Sequence, residues 1–374
     1  MRVSLLVAVA TVVIRFAWST SFVASEVQLS GPTELPVIDI ETLMTRSGSD
    51  DHHKEIIQSI KVACEERGFF YIKSGMDFDL ISRLEEISHL FFGKRVKEKE
   101  RIAMHYSGKA WRGYFKVGDE LTSGKKDMKE GLYFGKEEPD YNGSMPLRGK
   151  NLFPTENDLL QLRANVLDYM KSMKKVATVL MQAISEALEA DLETHFADNP
   201  TELFRIFSYP SPENNVTDDV YGVGEHTDYG FLTSLYQDNA GGLQVKSGSN
   251  KNGNTEWMDV PPLPGTHVVN LGDALEHYTH GRFQATPHRV IYYGRKASSR
   301  ARLSFPYFFD PHFDAPMTPM ADPGVKKDRS HISRWDGADP TQFQGTYGDY
   351  LQRKISRVFP QLFAESISSD SGEL

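Results

Sequence analysis

The sequence contains a single cysteine, Cys64, among 374 residues. One thiol excludes an internal disulfide framework and any cysteine-built zinc or iron–sulfur site. Positive charge is also in short supply: Lys and Arg number 42 against 51 Asp and Glu, a formal net charge of −9. Because phosphate contacts need clustered cations, this balance argues against a general polyanion binder, and no nucleic-acid partner is expected. Long hydrophobic runs are missing too. The apolar stretch at residues 3–14 is shorter than the roughly 20 residues a bilayer span requires, so no stable membrane span is expected. What remains is an ordinary globular composition, 39% hydrophobic and 25% charged, in a chain long enough to bury a sizeable core without staples. With cysteine scarce, the twelve histidines are the main soft ligands open to a metal.

The basic start Met1-Arg2 and the apolar stretch behind it fit the h-region of a secretory signal, making residues 1–24 a leader. Cleavage near Ala17-Trp18-Ser19 or after Ala24 suits it, and Ser19-Thr20-Ser21-Phe22 also looks like the junction of a two-part plastid leader. Entry into the secretory pathway or a plastid is the expectation; an uncleaved anchor or a cytoplasmic protein stays open. Two sequons, Asn142-Gly143-Ser144 and Asn215-Val216-Thr217, permit glycosylation on the secretory route.

Past the leader, residues 35–40 read as a short strand. Ile56, Ile57, Ile60, Ala63 and Cys64 recur at helical spacing, and Gly68 ends that helix. Phe69-Phe70-Tyr71-Ile72 is a buried strand, and Ile81, Leu84, Ile87 and Phe91 mark a second helix. Residues 107–151, rich in Gly, Lys and Asp, read as largely loop. Pro154 then opens the longest helix, with Thr155 as its cap answered by Asp158, and its apolar stripe runs to Leu188. From about Glu202 the period changes to two. Seven short apolar segments follow, divided by Gly, Pro, Asn or Asp, the pattern of a jelly roll or barrel. Residues 347–359 form one more amphipathic helix. The expected divisions are 35–153, a helical N-terminal region; 154–197, the long helix; 198–312, the β core; and 313–374, a C-terminal extension.

The chemistry-bearing residues lie inside the β region. His226-Thr227-Asp228 places an imidazole and a carboxylate two residues apart, on one face of a strand end. His288 lies on a later strand, and Arg302-Leu303-Ser304 follows on the next. Two neutral imidazoles and one carboxylate make a facial three-point site with open positions, which favours non-haem Fe(II) and dioxygen chemistry over closed structural zinc. A guanidinium fork beside a hydroxyl suits a carboxylate, such as the distal end of a keto-acid co-substrate.

These motifs, with Pro36-Val37-Ile38-Asp39, Arg67-Gly68-Phe69-Phe70, Arg112-Gly113-Tyr114-Phe115, Gly241-Gly242-Leu243-Gln244-Val245 and Asn270-Leu271-Gly272-Asp273, resemble the 2-oxoglutarate- and Fe(II)-dependent dioxygenases of the isopenicillin N synthase-like group. The resemblance spans Leu35 to about Phe359. It implies a mainly β fold with α: a double-stranded β-helix, or jelly-roll, core flanked by N-terminal helices and one long backbone helix. It further implies Fe(II) on His226, Asp228 and His288, and 2-oxoglutarate held by Arg302 and Ser304 with the phenol of Tyr209. The implied reaction oxidises, most simply hydroxylates, a small organic substrate with dioxygen, releasing succinate and carbon dioxide, with ascorbate as a reductant and a monomer as the working unit. One departure stands out: where the family often has Asn-Tyr-Tyr-Pro, this chain has Phe207-Ser208-Tyr209-Pro210, losing the asparagine.

Around the ligands, Tyr229 and Phe231 are candidates for substrate contact or for packing. His277 and His280, on an expected loop, read as surface or substrate-lining residues, and Asn270 and Asp273 as turn formers, Asn270 being close enough in sequence to meet the iron pocket. His52 and His53 read as solvated, Phe305 as core, and the pairs Lys125-Lys126 and Lys326-Lys327 as surface charge. Two other functions stay open: an iron oxidase of the same fold that uses no 2-oxoglutarate, and a non-catalytic binding protein. A nucleic-acid demethylase of the DNA-repair type fits less well, because its second arginine, six positions after the first, is Phe308 here.

Overall fold

The structure is a computed structural model that describes residues 35–138, 141, 145–155, 159–196, 199–210, 220–249, 255–292, 300–320 and 334–359. The leader, both sequons and Lys326-Lys327 lie outside the described residues. No helix among the described residues is long and apolar enough to cross a membrane.

Period-two apolar segments leave each strand with one inward face, and such faces bury one another by pairing into stacked sheets. Eight strands form the larger sheet, in the spatial order Val37–Asp39, Phe69–Lys73, His267–Leu271, Leu232–Gln237, Arg302–Asp310, Thr201–Tyr209, Glu130–Gly135 and Gly113–Phe115. Four form the smaller: Thr255–Asp259, Leu243–Ser249, His288–Tyr292 and Val220–His226. Val37–Asp39 runs parallel to Phe69–Lys73, and the pairings inside the core are antiparallel. Phe69, Tyr71, Val245, Val268 and Val290 belong to one apolar cluster that joins residues of both sheets. This is the jelly-roll core.

The outer face of the larger sheet is covered by helix. Leu160–Leu188, 29 residues, is about eight turns or some 44 Å long. Leu162, Val166, Tyr169, Met173, Leu180 and Ile184 are buried along one stripe. Tyr169 meets the sheet through the rings of Phe204 at 4.9 Å and Phe305 at 6.1 Å, which places Phe305 in the core. Asp50–Glu66 and Phe78–Phe92 pack beside the long helix, with Ser49 and Asp77 as N-caps. Cys64 is fully buried in the first of these, and burial pushes its thiol far up, so it is not a nucleophile. The expected Thr155 cap is not what starts the long helix. Its N-cap is Leu159, with no side-chain hydrogen bond, and residues 156–158, which include Asp158, are outside the described residues.

Of the strands that periodicity did not reveal, two bear most on the core. Glu130–Gly135, inside the expected loop region, is buried throughout and pairs with Thr201–Tyr209. Its apolar run is only three residues between glycines, and its buried Glu130 is neutralised by Lys99 at 2.6 Å and by the Tyr114 hydroxyl at 2.7 Å. Val220–His226, which leads into the first candidate ligand, carries two glycines and scarcely alternates.

Candidate active site

His226 ends one strand of the smaller sheet and His288 begins its neighbour; the register sets these two residues directly opposite each other. Their ring centroids are 4.2 Å apart. Asp228, two residues beyond His226, turns Oδ1 to within 3.8 Å of Nε2 on both rings. One ligand atom from each of the three lies within 4.8 Å of the others.

The orientation of each donor is fixed by its other end. His226 Nδ1 lies 2.8 Å from the Gly224 carbonyl oxygen, and His288 Nδ1 lies 3.1 Å from that of Thr286. A carbonyl can only accept, so Nδ1 carries the proton and Nε2 keeps its lone pair for a metal. Burial, aided by His226, holds His288 well below the ordinary histidine range, so it stays neutral and able to ligate at neutral pH. Asp228 Oδ2 accepts from the Thr233 hydroxyl and, at 2.7 Å, from Asn270 Nδ2, leaving Oδ1 as the coordinating oxygen. Asn270 thus meets the pocket, and Thr233, which the sequence did not single out, does the same work.

The loop carrying Asp228 is pinned from behind. A side chain at Gly230 would collide with the Asp310 carboxylate, and one at Gly272 with the Gly230 carbonyl. Asp273 N–H donates to the Asp228 carbonyl at 2.8 Å. Instead of merely shaping a turn, Asp273 is fully buried in a cationic cluster. Arg334 reaches it at 2.7 Å, Lys354 at 3.1 Å and the Tyr350 hydroxyl at 2.7 Å, while Arg334 Nη2 also donates to Thr227 at 2.7 Å. Burial works to raise the Asp273 carboxyl, but Arg334 and Lys354 outweigh it and hold the group far below the usual carboxylate range. The C-terminal extension is thereby tied to the ligand loop.

Arg302, Ser304 and Tyr209 converge on the same cavity as the three donors. Arg302 sits 4.6 Å over the Tyr209 ring and spends Nε on the Gly241 carbonyl at 2.6 Å. Its Nη1 is buried and has no hydrogen-bond partner among the described residues. The Ser304 and Tyr209 hydroxyls are 3.5 Å apart. A buried guanidinium N–H with no protein partner, in one cavity with two hydroxyls, suits a carboxylate. The residues present therefore fit both Fe(II) and 2-oxoglutarate.

The other expected residues divide. Tyr229 lines the cavity. Phe231 packs in the core against Phe196, ring centroids 4.9 Å apart, and takes its packing role. His277 is neither on a loop nor exposed: it lies in the short helix Asp273–Tyr278, buried between the carbonyl oxygens of Pro340 at 2.9 Å and Met317 at 2.7 Å. His53 is half-exposed, 2.8 Å from Glu186. Phe207, in place of the family asparagine, lines the cavity under Lys129, whose ammonium is 4.8 Å from its ring. Leu351, Ile355 and Phe359 supply an apolar wall; their spacing of four was the signal that could have found them.

Asp310, the last residue of the strand that begins at Arg302, has a carboxyl pushed up to about 7, chiefly by burial and against hydrogen bonds from Tyr347 and the Phe231 N–H. A carboxyl raised above its unfolded value of about 3.9 contributes stability that is fully present below that pH and lost as pH rises through the folded value. In metal-free protein the Asp310 contribution therefore falls between about pH 4 and about 7, against an opposite contribution from the buried histidines His288, His267 and His89, each held neutral by burial down to about 4. Relative to wild type, Asp310→Asn should gain thermal stability as pH rises through that range in melting curves of the metal-free protein; a variant profile parallel to wild type would remove Asp310 as a contributor.

Comparison with known proteins points the same way. The family model described as the 2OG-Fe(II) oxygenase superfamily matches residues 200–311, and that of the non-haem dioxygenase N-terminal region in morphine synthesis matches 35–156. A Dictyostelium discoideum protein named as a probable iron/ascorbate oxidoreductase is 44% identical, over 88% of this chain and 96% of its own. A 1-aminocyclopropane-1-carboxylate oxidase from the same organism is 32% identical, covering 91% and 98%. A homoarginine-6-hydroxylase of Glycine max is 30% identical, covering 88% and 98%. Among solved structures, a full-length Neurospora crassa protein in complex with alpha-KG and thymine superposes with a TM-score of 0.70 at 25% identity, covering 86% of this chain and 97% of that one.

Proposed function

The chain belongs to the 2OG-Fe(II) oxygenase superfamily, and from that premise we propose that it hydroxylates a small polar organic molecule, using Fe(II), 2-oxoglutarate and dioxygen with ascorbate as reductant. The observation that carries this reading is the joint presence of an oriented His226, Asp228 and His288 set and the unsatisfied Arg302 Nη1 in one cavity.

When bound, Fe(II) and 2-oxoglutarate supply the oxidising power: the keto acid loses carbon dioxide and becomes succinate, one oxygen atom entering it and the other the substrate C–H bond. The protein's own share is positional. Backbone carbonyls hold both imidazoles in the ligating tautomer, while Thr233 and Asn270 aim one carboxylate oxygen. Arg302 and Ser304 hold the distal carboxylate of the keto acid, which fixes the direction from which its other end approaches the three donors. The wall from the C-terminal helix keeps water away from the open side.

Hydroxylation is favoured by the homoarginine-6-hydroxylase relative; the second reading, an iron oxidase of the same fold that uses no 2-oxoglutarate, is kept because another relative is named an oxidase. Protein supplied with Fe(II), ascorbate and 2-oxoglutarate should release succinate slowly alone and in one-to-one proportion with product once substrate is present. Full substrate oxidation with no succinate would favour the oxidase.

A further inference from the structure

The cavity holds a second buried cation that the iron and 2-oxoglutarate sites leave unused. Arg205 and Tyr209 line it from one strand, Arg302 and Phe308 from the antiparallel neighbour. Tyr209 is the cross-strand partner of Arg302. Arg205 lies four residues back along the same strand, about 13 Å at the usual rise. That backbone separation sets Arg205 apart from the Arg302, Ser304 and Tyr209 group along the strand pair.

Arg205 is only 7% exposed. Its guanidinium stacks 3.6 Å from the Tyr133 ring and lies 5.8 Å from that of Phe308. The hydrogen bonds it gives to backbone both leave from Nη1, to the carbonyls of Phe134 at 3.1 Å and Phe204 at 3.2 Å. Among the described residues, no carboxylate lies within 4.0 Å of it. The acids around it are engaged elsewhere. Glu120 takes Lys129 at 2.9 Å and the Tyr133 hydroxyl at 2.8 Å, and Asp310 takes Tyr347 and the Phe231 N–H. Glu120 and Asp310 therefore act on Arg205 only from beyond ion-pair distance, and Tyr133 adds a side-chain hydrogen bond; a buried guanidinium with no carboxylate in direct contact has a planar fork that matches one.

We propose that Arg205 anchors the substrate, and that the molecule oxidised is a small organic acid, amino acids included, whose carboxylate pairs with this guanidinium. The inference rests on the dioxygenase reading above. It gives the cavity two acid-binding poles on adjacent strands, one for the co-substrate and one for the substrate.

The test uses anaerobic protein loaded with Fe(II) and 2-oxoglutarate. Binding of L-homoarginine, thymine and a set of small carboxylic acids is measured beside the primary amide matching each acid. Acids should bind at least tenfold more tightly than their amides. Arg205→Met should erase that preference, and Arg205→Lys should restore part of it. Both variants should bind 2-oxoglutarate within about twofold of wild type, judged by the visible charge-transfer band of the loaded protein; that readout also shows the variants are folded. Equal binding of acids and amides, or an unchanged preference in Arg205→Met, overturns the proposal, as does thymine alone binding. If wild-type protein forms no charge-transfer band, the co-substrate reading itself fails and takes this subsite with it.

Discussion

Replacing Asp228 with alanine is expected to weaken Fe(II) binding by more than about a hundredfold and to abolish substrate-coupled succinate release, while the protein stays folded. The magnitude follows from the donor set. Loss of a group that merely orients a ligand costs roughly 10–100-fold in metal affinity, and Asp228 is itself the anionic ligand. Its Oδ1 is equidistant, at 3.8 Å, from both imidazole Nε2 atoms, and among the described residues it is the only carboxylate in the ligand cluster. Asn270→Ala, which removes one of the two donors to Oδ2, should fall between wild type and Asp228→Ala. Folding should survive because Asp228 is buried near the already disfavoured charge of Asp310. Isothermal titration with Fe(II) under anaerobic conditions gives the affinities, and circular dichroism checks the fold. Near-wild-type affinity in Asp228→Ala would remove it from the site.

Arg302→Leu is expected to raise the 2-oxoglutarate concentration needed for half saturation by roughly 30- to 700-fold, with Fe(II) affinity unchanged. Truncating one partner of a buried, hydrogen-bonded charge pair costs about 2–4 kcal/mol, which is that range. Arg302→Lys should recover little. The ammonium keeps the charge but loses the fork, of which one arm is already spent on Gly241 and another is left for the ligand. The split between the two mutations is the informative part: Asp228 governs the metal, Arg302 the keto acid. A steady-state titration of 2-oxoglutarate at saturating Fe(II) reads it for Arg302→Leu, and anaerobic Fe(II) titration calorimetry reads it for both variants.

The residues that act through short-range geometry were legible in the sequence. Two residues apart on a strand end means one shared face, so His226 and Asp228, and then Arg302 and Ser304, announce their chemistry locally. The residues that act across the fold were less so. Asn270, 42 residues from Asp228, was flagged through its Asn270-Leu271-Gly272-Asp273 motif as able to meet the pocket, but its hydrogen bond to the ligand carboxylate was not foreseen, and Thr233 carries no motif at all. Arg205 looks in sequence like any charged residue in a strand, and only the closed sheet shows that it lines the cavity with the acids near it already taken. His277 was misplaced because six buried residues of helix, Asp273–Tyr278, are too few to show a period. Glu130–Gly135 hid in a polar, glycine-rich stretch because its apolar run is only three residues long and it buries a charged residue, Glu130, paired with Lys99.

The central claim is that one cavity binds Fe(II) through His226, Asp228 and His288 and 2-oxoglutarate through Arg302. Anaerobic titration of 2-oxoglutarate into the Fe(II)-loaded protein tests it most directly. A visible charge-transfer band saturating at one equivalent per chain is the expected result, absent in Asp228→Ala and displaced to far higher concentration in Arg302→Leu. No band in iron-loaded wild-type protein, or an identical titration in Arg302→Leu, would contradict it.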